Sequence, residues 1–282
     1  MSTAMQVPRK RCLGRELVVE RFFGPLADRL ALLLRPLQVR PTAVVLANGV
    51  AGLAAALALL DGAYVVAAIL LQLKTLFDNA DGRLARVSGR VTLTGRYLDT
   101  ELDLVLNVVL FAALAHATGE PWLGLAAFVA LTLVLSVNFN LAELTAAALG
   151  DARPQPAPSG GRLEHALEGV YAWLFGPQDR LIRSFSERRL ARILASELDP
   201  SRRRTATLAY YDRVSATVLA NLGLSTHLAA LGACLVAGVP ALYLWAVVAA
   251  AVLLVLVQAR REQVARGALG GEASLAPTLP RL

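Results

Sequence analysis

Four aspartates at the margins of long apolar runs constrain this chain more than any other feature. Asp78, Asp81, Asp99 and Asp103 stand in the run Asp78-x2-Asp81-Gly82-x2-Ala85-Arg86-x8-Gly95-x3-Asp99-x3-Asp103. A bare carboxylate near hydrocarbon is costly, so a cluster of four needs compensating positive charge, for which bound divalent metal is the natural source. The runs themselves fall at 42–60, 63–77, 94–117, 121–149, 216–238 and 240–257. Most reach the roughly 20 residues that a bilayer-crossing helix needs. With 56% apolar and only 17% charged residues, the chain reads as a polytopic membrane protein. The expected fold is all-α, with six transmembrane helices preceded by an amphipathic interfacial helix. The second run is short, so its helix is expected to continue past the membrane face and carry the first two aspartates.

The basic residues set the expected orientation. Of the 28 Lys and Arg, eight lie in residues 1–40, five in 74–96, eleven in 151–215 and four after 258. None falls in the short turns at 61–62, 118–120 and 238–240. The positive-inside rule then places both termini and the aspartate segment in the cytoplasm of a multi-pass protein of the cell membrane. The net charge of +7 reads as a basic face toward anionic headgroups and phosphates, and no motif interleaving aromatic and basic residues supports nucleic-acid binding. Cys12 and Cys234 are too far apart in this topology for a disulfide. No cleaved signal peptide is expected, the first span serving as its own insertion signal.

The chain divides into a cytoplasmic N-terminus with the interfacial helix (1–41), a six-helix membrane domain (42–258) carrying a cytoplasmic helical insertion (151–215), and a cytoplasmic tail (259–282). In the first part, Val18, Val19, Phe22, Phe23, Leu26, Leu30, Leu33, Leu34 and Leu37 recur at three- and four-residue steps between charged positions, with Gly24-Pro25 expected to break or restart the helix. Residues 151–162 are a linker rich in Pro, Gly and Ser. Residues 163–198 read as amphipathic helix interrupted at Gly176-Pro177. Arg180, Arg183, Arg188, Arg189 and Arg192 form a basic series there, expected mostly to face water or lipid phosphate.

Helical spacing puts Asp78 and Asp81 on one face, and Asp99 and Asp103 on another. Gly82 and Gly95 remove side chains beside the acids, so backbone or ligand can approach. If the two helices pack antiparallel through a turn near Ser88-Gly89-Arg90, the acidic faces oppose each other. Four carboxylates with no Cys or His nearby suit hard cations, Mg2+ or Mn2+. A pair of such ions would clamp a pyrophosphate, with Arg86 in reach for a bidentate phosphate contact. Spacing leaves open whether Asp103 is only a ligand or also a general base. Asp61 and Glu101 are expected to be no part of the site. Asn138, Asn140 and Glu143 are expected either as interhelical hydrogen-bond partners or as polar wall of the cavity. His227 is assigned to packing, Trp122, Tyr243 and Trp245 to an aromatic belt, and Gly223, Gly232 and Gly238 to close helix packing.

The run DNADGRLARVSGRVTLTGRYLDTELD at 78–103 resembles the signature of the CDP-alcohol phosphotransferases, integral membrane enzymes of phospholipid biosynthesis. The resemblance covers both glycines, the Ala85-Arg86 pair and all four acids. It implies that Asp78, Asp81, Asp99 and Asp103 bind metal and that Asp103 also deprotonates the acceptor alcohol. It further implies that Gly82, Ala85, Arg86 and Gly95 line the CDP site, that CMP leaves, and that the protein is a homodimer. One departure is clear: many relatives carry Pro-Asn and then Thr where the first span begins, whereas this chain has Pro41-Thr42 and Asn48 further in. The leading reading is a transferase moving a phosphatidyl group from CDP-diacylglycerol to glycerol phosphate, inositol, inositol phosphate or serine. A second is transfer of a phospho-alcohol from a soluble CDP-alcohol to a lipid or an inositol phosphate. A divalent-cation transporter is a remote third, since it would need acids near the midplane and a polar route through both faces.

Overall fold

The computed structural model describes residues 13–151 and 160–270. Cys12, the cluster Arg9, Lys10 and Arg11, most of the linker and the end of the tail lie outside these. Among the described residues there is no β-strand. A π-helical turn, Val19–Phe23, leads into α1 (Gly24–Leu34). Then come α2 (Pro41–Leu60), α3 (Tyr64–Ser88), α4 (Leu93–Thr118), α5 (Pro121–Ala148), α6 (Arg162–Leu174) and α7 (Gly176–Ile193). The chain finishes with α8 (Pro200–Tyr210), α9 (Arg213–Ala220), α10 (Leu224–Val236) and α11 (Pro240–Leu269).

Local chemistry explains these boundaries. Helices α1, α2, α5, α7, α8 and α11 all carry proline in their first turn, where its missing N–H forfeits no helical bond. Gly24-Pro25 therefore starts α1 and does not break the helical path from Val19. Gly176-Pro177 does interrupt, separating α6 from α7. Thr92, Asp199 and Asp212 cap α4, α8 and α9 by accepting backbone N–H bonds. Gly89 and Gly119 end α3 and α4 in the left-handed conformation.

Four stretches are long and apolar enough to cross a membrane: Pro41–Leu60, Pro121–Ala148, Pro200–Val236 and Pro240–Leu269. The expectation was six. Helices α3 and α4 have comparable length but carry Lys74, the four aspartates and Glu101, and they are not among the four. The expected fifth run, 216–238, is divided by a turn at 221–223 between α9 and α10. Beyond the expected end at 257, α11 continues as helix to Leu269.

One core joins α2, α3, α4, α5, α10 and α11 through Leu59, Leu71, Leu110, Phe111, Leu114, Leu131, Leu231 and Leu244, interleaved with Ala55, Ala56, Ala67 and Ala68. Such small residues let helix backbones approach, which is how membrane helices gain contact without a hydrophobic drive between them. Gly124 shows the tolerance: a Cβ there would stand 2.5 Å from the Cβ and 3.2 Å from the Cα of Ala115. Gly124→Ala is expected to destabilise the protein by about 1 kcal/mol despite alanine's higher helix propensity, whereas Gly267→Ala, which meets nothing within 4 Å, is expected to stabilise it. Thermal midpoints in detergent check both signs.

Two expectations change here. Tyr243 is buried in the core against Phe111 and His227, so it is no belt residue, while Trp122 and Trp245 are exposed. Gly238 has a positive φ of 71° and open space around it, so it makes a turn and not a packing contact. Of the arginine series, Arg180, Arg188 and Arg192 are exposed as expected, while Arg183 donates to Asn140 and Arg189 pairs with Glu262 at 2.5 Å. Further along the chain, Arg202 donates to the carbonyl of Leu269 and Arg203 to the carbonyls of Leu194 and Glu197. Arg261 is buried with its guanidinium 4.1 Å from the ring centre of Tyr210, an arrangement that replaces lost hydration with cation–π attraction.

Candidate active site

Three helices shape the site. Helix α2 packs against both α3 and α4, yet α3 and α4 themselves make few close backbone approaches. The sequence suggested two helices packed directly on each other; the structure instead holds them apart around a cleft, with α2 as the shared wall. Gly49 and Gly52 of α2 make this possible. Cβ atoms at these positions would come within 2.9 Å of a Leu102 methyl and 3.0 Å of a Leu106 methyl, so the leucines of α4 seat closely against the two glycines.

On α3, Lys74, Asp78, Asp81, Gly82 and Ala85 recur at helical spacing; on α4, Gly95, Asp99 and Asp103 do the same. Carboxylate oxygens from Asp78, Asp99 and Asp103 lie within 4.8 Å of one another. Two helices thus contribute to one acidic group, as the spacing argument required. Asp81, expected as the fourth member, stands outside this group. It is buried, and its Oδ1 accepts the backbone N–H of Gly82, while its Oδ2 has no hydrogen-bond partner among the described residues. Its charge still interacts with Asp103 and Arg86. The Arg86 guanidinium lies beside Gly82, where a Cβ would meet it at 3.4 Å. Gly95 donates its N–H to the capping Thr92 at 3.1 Å, tying the cleft side of α4 to its own start. Glu101 lies outside the carboxylate group.

The acidic group fits a divalent cation on its own terms. Among the described residues, Asp99 Oδ1 and Asp81 Oδ2 are buried acceptors with no donor, a costly state that a bound cation would relieve. All the donors are oxygens, with no His or Cys, which suits a hard ion.

Lys74 is the residue that sequence reasoning missed. Its ammonium donates to Asp103 Oδ1 at 2.7 Å, and the side chain is 1% exposed. The available signal was its position four residues before Asp78, one turn along the same face, inside an otherwise apolar run. Asn48 was also underrated: it is fully buried on α2, and neither amide atom has a partner among the described residues.

The insertion closes over the neighbouring end of α4 and α5. Asn140 donates to Asp179 at 2.6 Å and accepts from Arg183 at 2.7 Å, which makes it an interhelical partner linking α5 to α7. Tyr171 donates to Asp179 at 3.0 Å and its ring lies 5.4 Å from that of Tyr97 on α4. Burial, with the Asp179 carboxylate beside it, pushes the Tyr171 phenol up to about 12, so it remains a donor at neutral pH. Thr94 donates to the buried Glu164 at 2.9 Å.

The family model of the CDP-alcohol phosphatidyltransferases matches residues 38–177, a span that holds α2 to α6, every acid of the cleft and Lys74. The chain carries a CDP-alcohol phosphatidyltransferase domain. Comparison with curated proteins found no match, and comparison with solved structures found none. The CDP-alcohol phosphatidyltransferases are transferases of phospholipid biosynthesis that use a CDP-alcohol donor, a hydroxyl acceptor and divalent metal. With four apolar stretches of spanning length, the domain sits in a multi-pass membrane protein.

Proposed function

We propose that this protein transfers a phosphatidyl group from CDP-diacylglycerol to a hydroxyl acceptor and releases CMP, and that the cleft between α3 and α4 is its active site. The observation that carries this reading is the convergence of Asp78, Asp99 and Asp103 from two separated helices, with oxygens within 4.8 Å, inside the matched domain. Asp78, Asp81, Asp99 and Asp103 would hold Mg2+ or Mn2+, two ions in all, which supply charge neutralisation of the pyrophosphate. Gly82, Ala85 and Gly95 leave room for the cytidine diphosphate, and Arg86 beside Gly82 contacts its phosphate.

In the reaction the acceptor oxygen attacks the phosphorus distal to cytidine. The bond from that phosphorus to the CMP oxygen breaks, and CMP departs with the electron pair. The acceptor's proton passes to the Asp103 carboxylate, whose Oδ1 is held by Lys74. The lipid donor is favoured by the helix before the domain. Phe22, Leu26, Leu33 and Leu37 are exposed along it, whereas Ala27 and Ala31 face α3, and Asp28 pairs with Arg83 of α3 at 2.7 Å. An apolar outer face fixed to the catalytic helix suits a helix lying in the headgroup plane. On this reading α3 and α4 complete a six-span bundle, both termini and the cleft face the cytoplasm, and the enzyme works as a homodimer.

Purified protein with Mn2+ and labelled CDP-diacylglycerol is expected to release CMP with one member of a panel of glycerol phosphate, inositol, inositol phosphate and serine. Release from a water-soluble CDP-alcohol in place of the lipid donor would move the reading to the soluble-donor reaction. No CMP from any donor and acceptor would overturn it.

A further inference from the structure

Lys74 lies one turn before the run that carries the family resemblance, and its geometry is tightly determined. A Cβ at Gly52 would stand 3.3 Å from Lys74 Cδ and 3.0 Å from Leu106, so the lysine stem runs against α2 beside the α4 leucine. With the stem held there, the ammonium points at Asp103 and bonds it at 2.7 Å, away from solvent. It also interacts electrostatically with Asp78 and Asp99. The carboxylate group therefore contains a fixed, protein-borne cation, and that cation is attached to one member alone.

A +1 charge bonded to one ligand opposes a +2 charge seeking the same ligand, and the repulsion is strong where water is excluded. We propose that Lys74 is a positioning residue that makes the metal site unequal. The ion position that uses Asp103 is the weak one, by about tenfold or more, and the position served by the other aspartates is the strong one. Lys74 thereby keeps Asp103 oriented and partly neutralised in the protein before the weak position fills. This inference rests on the active-site reading above, in which the aspartates hold two ions.

Mn2+ binding to the full chain in detergent, followed by the loss of the free-ion signal in electron paramagnetic resonance, tests it without any measurement of turnover. Wild type is expected to show two affinity classes at least about tenfold apart. Lys74→Met keeps the stem and removes the charge; its weak class is expected to tighten about tenfold or more, so that the classes approach each other. Lys74→Arg keeps the charge and is expected to keep two separate classes. Asp103→Asn is expected to delete the weak class and leave the strong one. A single class in wild type, loss of the strong class in Asp103→Asn, or unchanged or weaker binding in Lys74→Met would overturn the proposal. The wild-type, Lys74→Arg and Asp103→Asn measurements can still overturn the proposal if Lys74→Met cannot be purified. Binding that survives intact in an Asp78→Asn, Asp99→Asn double variant would instead remove the metal reading of the site itself, an outcome distinct from those above.

Discussion

Asp103→Asn is expected to lower CMP release by about 10^2 to 10^4-fold, the usual worth of a positioned general base. The amide keeps the size of the side chain but cannot take the acceptor's proton. It also strips Lys74 of its carboxylate partner at a position that is 1% exposed. Breaking one side of a buried ion pair costs about 3–5 kcal/mol, so the variant is expected to melt earlier as well as turn over more slowly. The double variant Lys74→Met, Asp103→Asn separates the two effects. Its thermal midpoint is expected to recover toward wild type, because no unpaired charge is left, while its activity stays low. Wild-type CMP release from Asp103→Asn would remove Asp103 from the chemistry.

The second large effect is expected at Asp78 and Asp99. Each contributes an oxygen to the group within 4.8 Å, one from α3 and one from α4, so neither can be replaced by its neighbour on the same helix. Asp78→Asn and Asp99→Asn are each expected to weaken Mn2+ binding at least about 100-fold and to abolish measurable CMP release. Asp61→Asn, in the Asp61-Gly62 turn between α2 and α3, is the control and is expected to match wild type in both measurements. Undiminished Mn2+ affinity in both site variants would show that the acids do not act together.

Much of this was legible along the chain, because the relevant physics is local. A proline at the start of an apolar run announces a helix start at Pro41, Pro121 and Pro240, since only the first turn tolerates a missing N–H. The three- and four-residue spacings of the acids fix which of them share a helix face whatever the helices do next. Gly89, between the two acidic helices, was readable as a turn for the same kind of reason.

What the spacing left undecided depends on the distance between helices, and that distance comes from side chains remote in sequence. Gly49 and Gly52 seat Leu102 and Leu106, and this contact, not any property of the acids, sets α4 across a cleft from α3. The same contact directs Lys74 onto Asp103, which in the sequence reads only as one basic residue among five in 74–96. Asp81 shares its helix face with Asp78 but turns to the amide of Gly82 and falls outside the group of three. Tyr243 likewise reads as a belt residue until Phe111 and His227 enclose it. The amino-acid order alone determined the helices and the acids they carry; only the packing of α2 against α3 and α4 decided which acids meet and which cation already sits among them, because burial and pairing depend on neighbours that no local pattern encodes.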